Sequence, residues 1–179
     1  MKQEIIIAGF GGQGVMLMGQ ILAGAGMLED KNVSWLPSYG PEMRGGTANC
    51  HVIVSDEPVA SPYVAEPDVV IAMNLPSMDK FAPILKKNGT LIINSSLIET
   101  EPDRDDINII KVQANKLAEE VGSGRAANMV ALGTYLGHSK AVSLESIMSS
   151  LKDNLPERHH KLIPLNEEAI KRGMEKAEG

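Results

Sequence analysis

With one cysteine among 179 residues, Cys50, this chain has no internal disulfide and no means of holding an iron–sulfur cluster on its own thiolates. Aromatic residues make up only 3%. The core must therefore be filled by Ile, Val, Leu, Ala and Met, and the ten methionines suit gap-filling among them. Runs of Lys and Arg are missing and the formal net charge is −6, which argues against a nucleic-acid partner. The one basic cluster, Arg158-His159-His160-Lys161, sits among acids and reads as a solvated helix start. No apolar run approaches the length of a membrane span, and the chain enters a strand at once, without a charged-then-apolar leader. A cytoplasmic location with no membrane contact is expected. Metal-ligand spacing is absent too. His51 and His138 stand alone and read as structural, and the adjacent His159 and His160 cannot share a helical face. Neither a repeat period nor a dividing linker is visible, so residues 1–179 are read as one domain.

What is present alternates between strands and helices. Ile5–Ala8 is a continuous apolar run suited to a strand covered on both faces, and from Gly14 apolar residues recur at helical spacing to Leu28. Gly19 and Gly24 lie within that helix, where close packing on the sheet would offset their cost of about 1 kcal/mol each. Val33–Leu36 predicts a strand stopped by Pro37, and Thr47–Val54 predicts another. Val59–Val64 reads as its hairpin partner, an edge strand because of Pro62. Strands over Asp68–Met73, Thr90–Asn94 and Ile107–Val112 alternate with helices from Pro76 to Asn88 and over Ala114–Val121. Further helices follow at Ala127–Leu136, at Ser143–Leu151 and from Asn166 onward. Asn128 is read as a cap of the Ala127 helix in preference to a hydrogen-bond donor to a partner loop. This order predicts an α/β domain, a Rossmann-like three-layer fold with a mostly parallel sheet made mixed by the Thr47–Val64 hairpin.

Two passages carry candidate chemistry. Gly9-Phe10-Gly11-Gly12-Gln13-Gly14 has the G-x-G-x-x-G spacing between a strand and a helix, where glycines let an anion approach backbone N–H groups at the positive helix end. A dinucleotide fold would place an acidic residue after the second strand, to hold the ribose hydroxyls. Here Leu36-Pro37-Ser38 stand there, and Glu29 and Asp30 come before that strand, at the wrong edge of the sheet. The glycines could equally serve only close helix packing. The second passage, Ser38 to Gly46, puts Tyr39, Glu42 and Arg44 on a loop at the same sheet edge, with Gly45 and Gly46 behind them. Arg44 can bind a carboxylate or phosphate in a fork, or pair with Glu42 as a loop staple.

Ile7-Ala8-Gly9-Phe10-Gly11-Gly12-Gln13-Gly14, then Tyr39-Gly40-Pro41-Glu42-Met43-Arg44-Gly45-Gly46, then Ala127-Asn128-Met129-Val130-Ala131-Leu132-Gly133 together resemble the gamma subunit of 2-oxoacid:ferredoxin oxidoreductases, the pyruvate/ketoisovalerate oxidoreductase gamma family. The likeness runs nearly end to end. It implies a complex that converts a 2-oxoacid, coenzyme A and oxidised ferredoxin to acyl-CoA, carbon dioxide and reduced ferredoxin. Thiamine diphosphate, magnesium and iron–sulfur clusters would lie on alpha, beta and ferredoxin-like partner subunits. The gamma chain would carry no catalytic residue and no metal. Within such a complex, Gly9, Gly11, Gly12, Gln13 and Gly14 with Tyr39, Glu42, Arg44, Gly45 and Gly46 are expected to form an interface surface that helps admit or cover coenzyme A, the rival reading being that both loops only dock neighbouring subunits. The look of Gly9 to Gly14 slightly favours 2-oxoglutarate or a branched-chain 2-oxoacid over pyruvate. Two alternatives stay open: a stand-alone NADP-dependent oxidoreductase with Arg44 on the 2′-phosphate, and a purely structural dimerisation subunit.

Overall fold

The computed structural model describes residues 1–40 and 47–177. Six strands form one sheet: β1 (Lys2–Phe10), β2 (Asn32–Tyr39), β3 (Thr47–Ser55), β4 (Val69–Ala72), β5 (Thr90–Asn94) and β6 (Asn108–Val112), in the order β2-β3-β1-β4-β5-β6. β1, β4, β5 and β6 are parallel, and β3 runs antiparallel to both β1 and β2. The helices are α1 (Val15–Leu28), α2 (Leu75–Phe81), α3 (Ala114–Glu120), α4 (Ala127–Ser139), α5 (Leu144–Asn154) and α6 (Ile163–Ala177).

Alternation along β1 assigns the layers. Ile5 and Ile7 point into a large core with α1 and α3 to α6, whereas Ile6 and Ala8 point into a smaller one with α2 and Val64. The result is the expected three-layer α/β domain, with an unequal division of helices. Met18, Met73, Met78 and Met129 are buried, as the scarcity of aromatics requires.

Several boundaries differ from the sequence expectation. The sheet is mixed, but the hairpin partner of β3 is β2, and Val59–Val64 forms no strand. Pro58 and Pro62 deprive that segment of donors, and the Val64 N–H goes to the His51 ring instead of a ladder. β2 continues through Pro37 to Tyr39, because a free edge tolerates a residue without an N–H. The helix after Asn74 ends at Phe81, six residues before Lys87, since Pro83 converts its continuation to a 3₁₀ turn over Ala82–Ile84. Gly19 does pack on the sheet, where a Cβ would stand 2.5 Å from Cys50 Sγ and 2.7 Å from Trp35 Nε1. Gly24 instead faces Ser150 of α5.

The tightest helix contact joins α4 and α6. A Cβ on Gly133 would run into the carbonyl of Ile170, and one on Gly173 into the carbonyl of Val130. Backbone meets backbone there, so no side-chain rotation can make room. Gly133→Val is expected to cost about 3 kcal/mol or to prevent folding, whereas Gly24→Ala, opposed by a side chain, costs less; urea denaturation of the two variants measures the difference.

Candidate functional site

The carboxyl end of β1 emerges between β3 on one side and β4 on the other. There the Gln13 N–H donates to the Phe10 carbonyl at 3.1 Å, closing the turn. The Gln13 side chain binds across the strand ends: Oε1 accepts from the Phe10 N–H (2.6 Å) and Asn74 Nδ2 (3.3 Å), and Nε2 donates to the Met73 carbonyl (3.2 Å). A Cβ on Gly9 would stand 2.6 Å from Gln13 Oε1 and 2.9 Å from Met73 Cβ, so glycine is needed for this closure. Gly14, at φ 75°, precedes α1 in the left-handed region, and a Cβ there would overlap the Asn128 amide. Asn128 does not cap α4. The N-cap position is Ala126, and Asn128 Nδ2 instead donates to the Gly14 carbonyl at 3.4 Å. Gly11 and Gly12 are exposed, and nothing lies within 4 Å of a Cβ position on Gly12.

Beside this turn lies a cleft of about 210 Å³, lined by Gly12, Gln13, Met73, Asn115, Gly124, Arg125 and Ala127. Its position is the topological switch point: from β1 the chain crosses toward β2, and from β4 it crosses toward β5 and β6. Asparagines stand at the carboxyl ends of the parallel strands. Asn74 Oδ1 accepts from the Ser77 N–H (2.9 Å) and caps α2, while Asn94 Nδ2 donates to Asn115 Oδ1 (2.8 Å) and Asn94 Oδ1 accepts from the Ala114 N–H (3.2 Å). Sequence reasoning missed Asn74, Asn94, Asn115 and Arg125; the recurrence of asparagine at or shortly after the ends of β4, β5 and β6 was the signal that could have found three of them. None of the lining residues is a carboxylate, histidine or cysteine. What the cleft offers is the exposed glycine turn at Gly12, ahead of α1, and the Arg125 guanidinium, a combination suited to an anion.

The start of the second passage, at Tyr39, is brought to the same edge by register. Tyr39 pairs with Ala48, which also pairs with Gly9, so Tyr39 and the glycine turn flank β3 at roughly 10 Å, two strand spacings. Tyr39 is exposed, and the Gly40 N–H closes the β2–β3 connection onto the Thr47 carbonyl at 2.7 Å. Glu42, Arg44, Gly45 and Gly46 lie outside the described residues.

Glu29 and Asp30 stand at the far end of α1, as the sequence implied, and Glu29 Oε1 accepts from the Ser143 N–H at 2.7 Å. Cys50 is fully buried, and burial pushes its thiol up to about 12, so it stays neutral. His51 and His138 are structurally partnered: His51 Nδ1 accepts from the Val64 N–H (3.0 Å), and His138 Nε2 meets Thr90 Oγ1 (2.9 Å). Among the described residues no group of three or more His, Cys, Asp or Glu side chains could hold a metal ion. No helix among them is long and apolar enough to cross a membrane.

The chain is a three-layer α/β domain with a glycine turn at its switch point, and comparison with known proteins narrows its class. Residues 4–176 match the family model described as pyruvate ferredoxin/flavodoxin oxidoreductase, and the chain belongs to that family. It is 38% identical to the ketoisovalerate oxidoreductase subunit VorA of Methanothermobacter thermautotrophicus over 96% of this chain, but spans only 36% of that relative's length. With the 2-oxoglutarate synthase subunit KorC of Methanocaldococcus jannaschii it shares 35% identity over 87% of this chain and 85% of the relative. The crystal structure of the keto/oxoacid ferredoxin oxidoreductase gamma subunit of Geobacter sulfurreducens superposes with a TM-score of 0.84 at 32% identity, covering 98% of each chain.

Two outcomes follow from this geometry. Gln13→Leu removes the bonds that join the ends of β1 and β4 and is expected to destabilise the fold by about 2 kcal/mol, read by chemical denaturation. His51 is held below its ordinary value of 6.5 by burial and then by the Lys80 charge, so the folded state binds fewer protons than the unfolded one below that pH. Its contribution to stability is complete above pH 6.5 and is lost as pH falls. Folding stability should therefore decline below that point by at most about 1.4 kcal/mol per pH unit from this group, and His51→Asn, which keeps an acceptor for Val64, should flatten the slope.

Proposed function

We propose that this chain is the gamma subunit of a cytoplasmic, multisubunit 2-oxoacid:ferredoxin oxidoreductase that oxidatively decarboxylates a 2-oxoacid to its acyl-CoA. The observation that carries the reading is reciprocal coverage: 98% of this chain and 98% of the Geobacter gamma subunit align at 32% identity. The chain is an accessory subunit, catalytically silent alone. Alpha, beta and ferredoxin-like subunits are its partners, and ferredoxin accepts the electrons. Thiamine diphosphate, magnesium and iron–sulfur clusters reside on those partners, and for the clusters the single, buried cysteine supports this. Relatives named for ketoisovalerate and 2-oxoglutarate support a branched-chain 2-oxoacid or 2-oxoglutarate as substrate.

The glycine turn then serves coenzyme A, whose phosphates need fixed donors while its arm reaches the reacting centre on another subunit. The backbone of the turn at Gly12, with Arg125 lining the same cleft, offers the anion contacts, and Gly9, Gly11 and Gly14 let the chain make that turn. Gln13 holds the turn in shape. Tyr39, Glu42, Arg44, Gly45 and Gly46 form the flanking contact.

The test is coenzyme A-dependent dye reduction by the co-expressed complex. Arg125→Ala and Arg44→Ala are each expected to raise the coenzyme A concentration for half-maximal rate about tenfold, the effect of losing one charge-assisted contact, with subunit stoichiometry unchanged by gel filtration. Unchanged kinetics in an intact complex would reduce the loops to docking elements, and failure to assemble with any 2-oxoacid oxidoreductase subunits would overturn the subunit assignment.

A further inference from the structure

A larger cleft opens on the other face of the sheet, between the β2–β3 hairpin and α2, with a volume of about 360 Å³. It shares no lining residue with the cleft at the glycine turn. Asn49 and His51, two residues apart on β3, line it side by side, and each is only 7% exposed. The Val64 N–H occupies His51 Nδ1, so the neutral ring carries its proton on Nε2 and has a donor to give. Among the described residues no hydrogen bond joins His51 Nε2 or the Asn49 side-chain amide to another protein group, and both residues line the open cleft. Lys80 adds a cation at the rim, and no carboxylate stands among the lining residues. The walls are apolar: Leu36, Phe81 with the Lys80 ammonium 5.1 Å from its ring centre, and Tyr63, whose ring lies 5.1 Å from that of His51.

Donors and one positive charge converging between aromatic walls define a ligand chemistry. We propose that this cleft binds a small organic anion, a flat unsaturated ring bearing a carboxylate or phosphate, with the anion held by Lys80, His51 Nε2–H and Asn49 Nδ2 and the ring set against Tyr63 and Phe81. The size falls within the range of small-molecule sites, roughly 300–1,000 Å³. The site stands on its own residues and does not depend on the subunit assignment.

The experiment is an NMR titration of the isotopically labelled full-length chain with benzoate, phenyl phosphate and the uncharged benzamide. At least one anion should shift the His51 side-chain nitrogens and the Tyr63 amide in a saturable manner, and benzamide should not. Which anion binds identifies the head group. Lys80→Met, an exposed position, should weaken binding about tenfold, as expected for losing a charged contact, with an unchanged Tm. His51→Asn keeps the acceptor for Val64 and removes the Nε2 donor, and should weaken binding as well. The proposal is overturned by the absence of saturable shifts with both anions, by equal binding of benzamide, by shifts centred on Gly12 and Arg125, or by affinity that Lys80→Met leaves within twofold.

Discussion

The constraint on which this structure turns is the position of β1, held between one antiparallel and one parallel neighbour. At its carboxyl end the start of β3 lies on one side and the end of β4 on the other, so the chain must leave the sheet through a narrow gap. The Gln13 amide solves this by bonding to backbone on both β1 and the segment after β4. At the amino end a second tie joins the same pair of strands, where the Lys86 ammonium bridges Glu4 and Asp68 at 2.8 Å each. Burial would push the Glu4 carboxyl up, but Lys86 and Lys2 outweigh it and hold the group below its usual range. With both ends secured, the glycine turn sits on a base tied at both ends of the β1–β4 pair.

The helical layers extend that rigidity across the chain. Asn128 reaches from α4 to the Gly14 carbonyl, so the entry to α1 is tied to a helix more than a hundred residues away. α4 is in turn clamped to α6 through Gly133 and Gly173, where two backbones touch. The glycine turn is thus supported through direct contacts by an element near the end of the chain. This explains why α4 carries almost no polar face: Ala127 to Leu136 are all buried.

The unequal layering also determines where surface remains available. Five helices cover one face of the sheet, and a single short helix with an irregular segment covers the other. On that second face the β2–β3 hairpin is only partly covered, leaving the cleft that His51 and Asn49 line. The asparagines at the strand ends bond to one another and to backbone, whereas Asn49 has no such neighbour among the described residues. The same residue type therefore serves architecture at one edge and remains available on the other face.

The linear pattern determined much of this protein by itself. Apolar runs at Ile5–Ala8, Asp68–Met73 and Thr90–Asn94 located buried strands, since period and composition depend only on neighbours in the chain. The start of the Ser143 helix was legible for the same reason, and the structure makes Ser143 its cap, with its Oγ accepting from the Ser146 N–H at 3.1 Å. The single cysteine and the missing acid after the second strand likewise delimited the chemistry before any fold was known. Pairing was not legible in that way. Val59–Val64 had a strand's composition, yet β2 became the partner of β3, because a longer ladder without interior-facing prolines satisfies more backbone groups. Arg125 lined a cleft and Asn128 supported a turn only because the chain returns to β1 after more than a hundred residues. Short-range residue patterns set which faces are apolar, but the assembly of a site depends on distant segments closing on one another, and that was decided by tertiary packing.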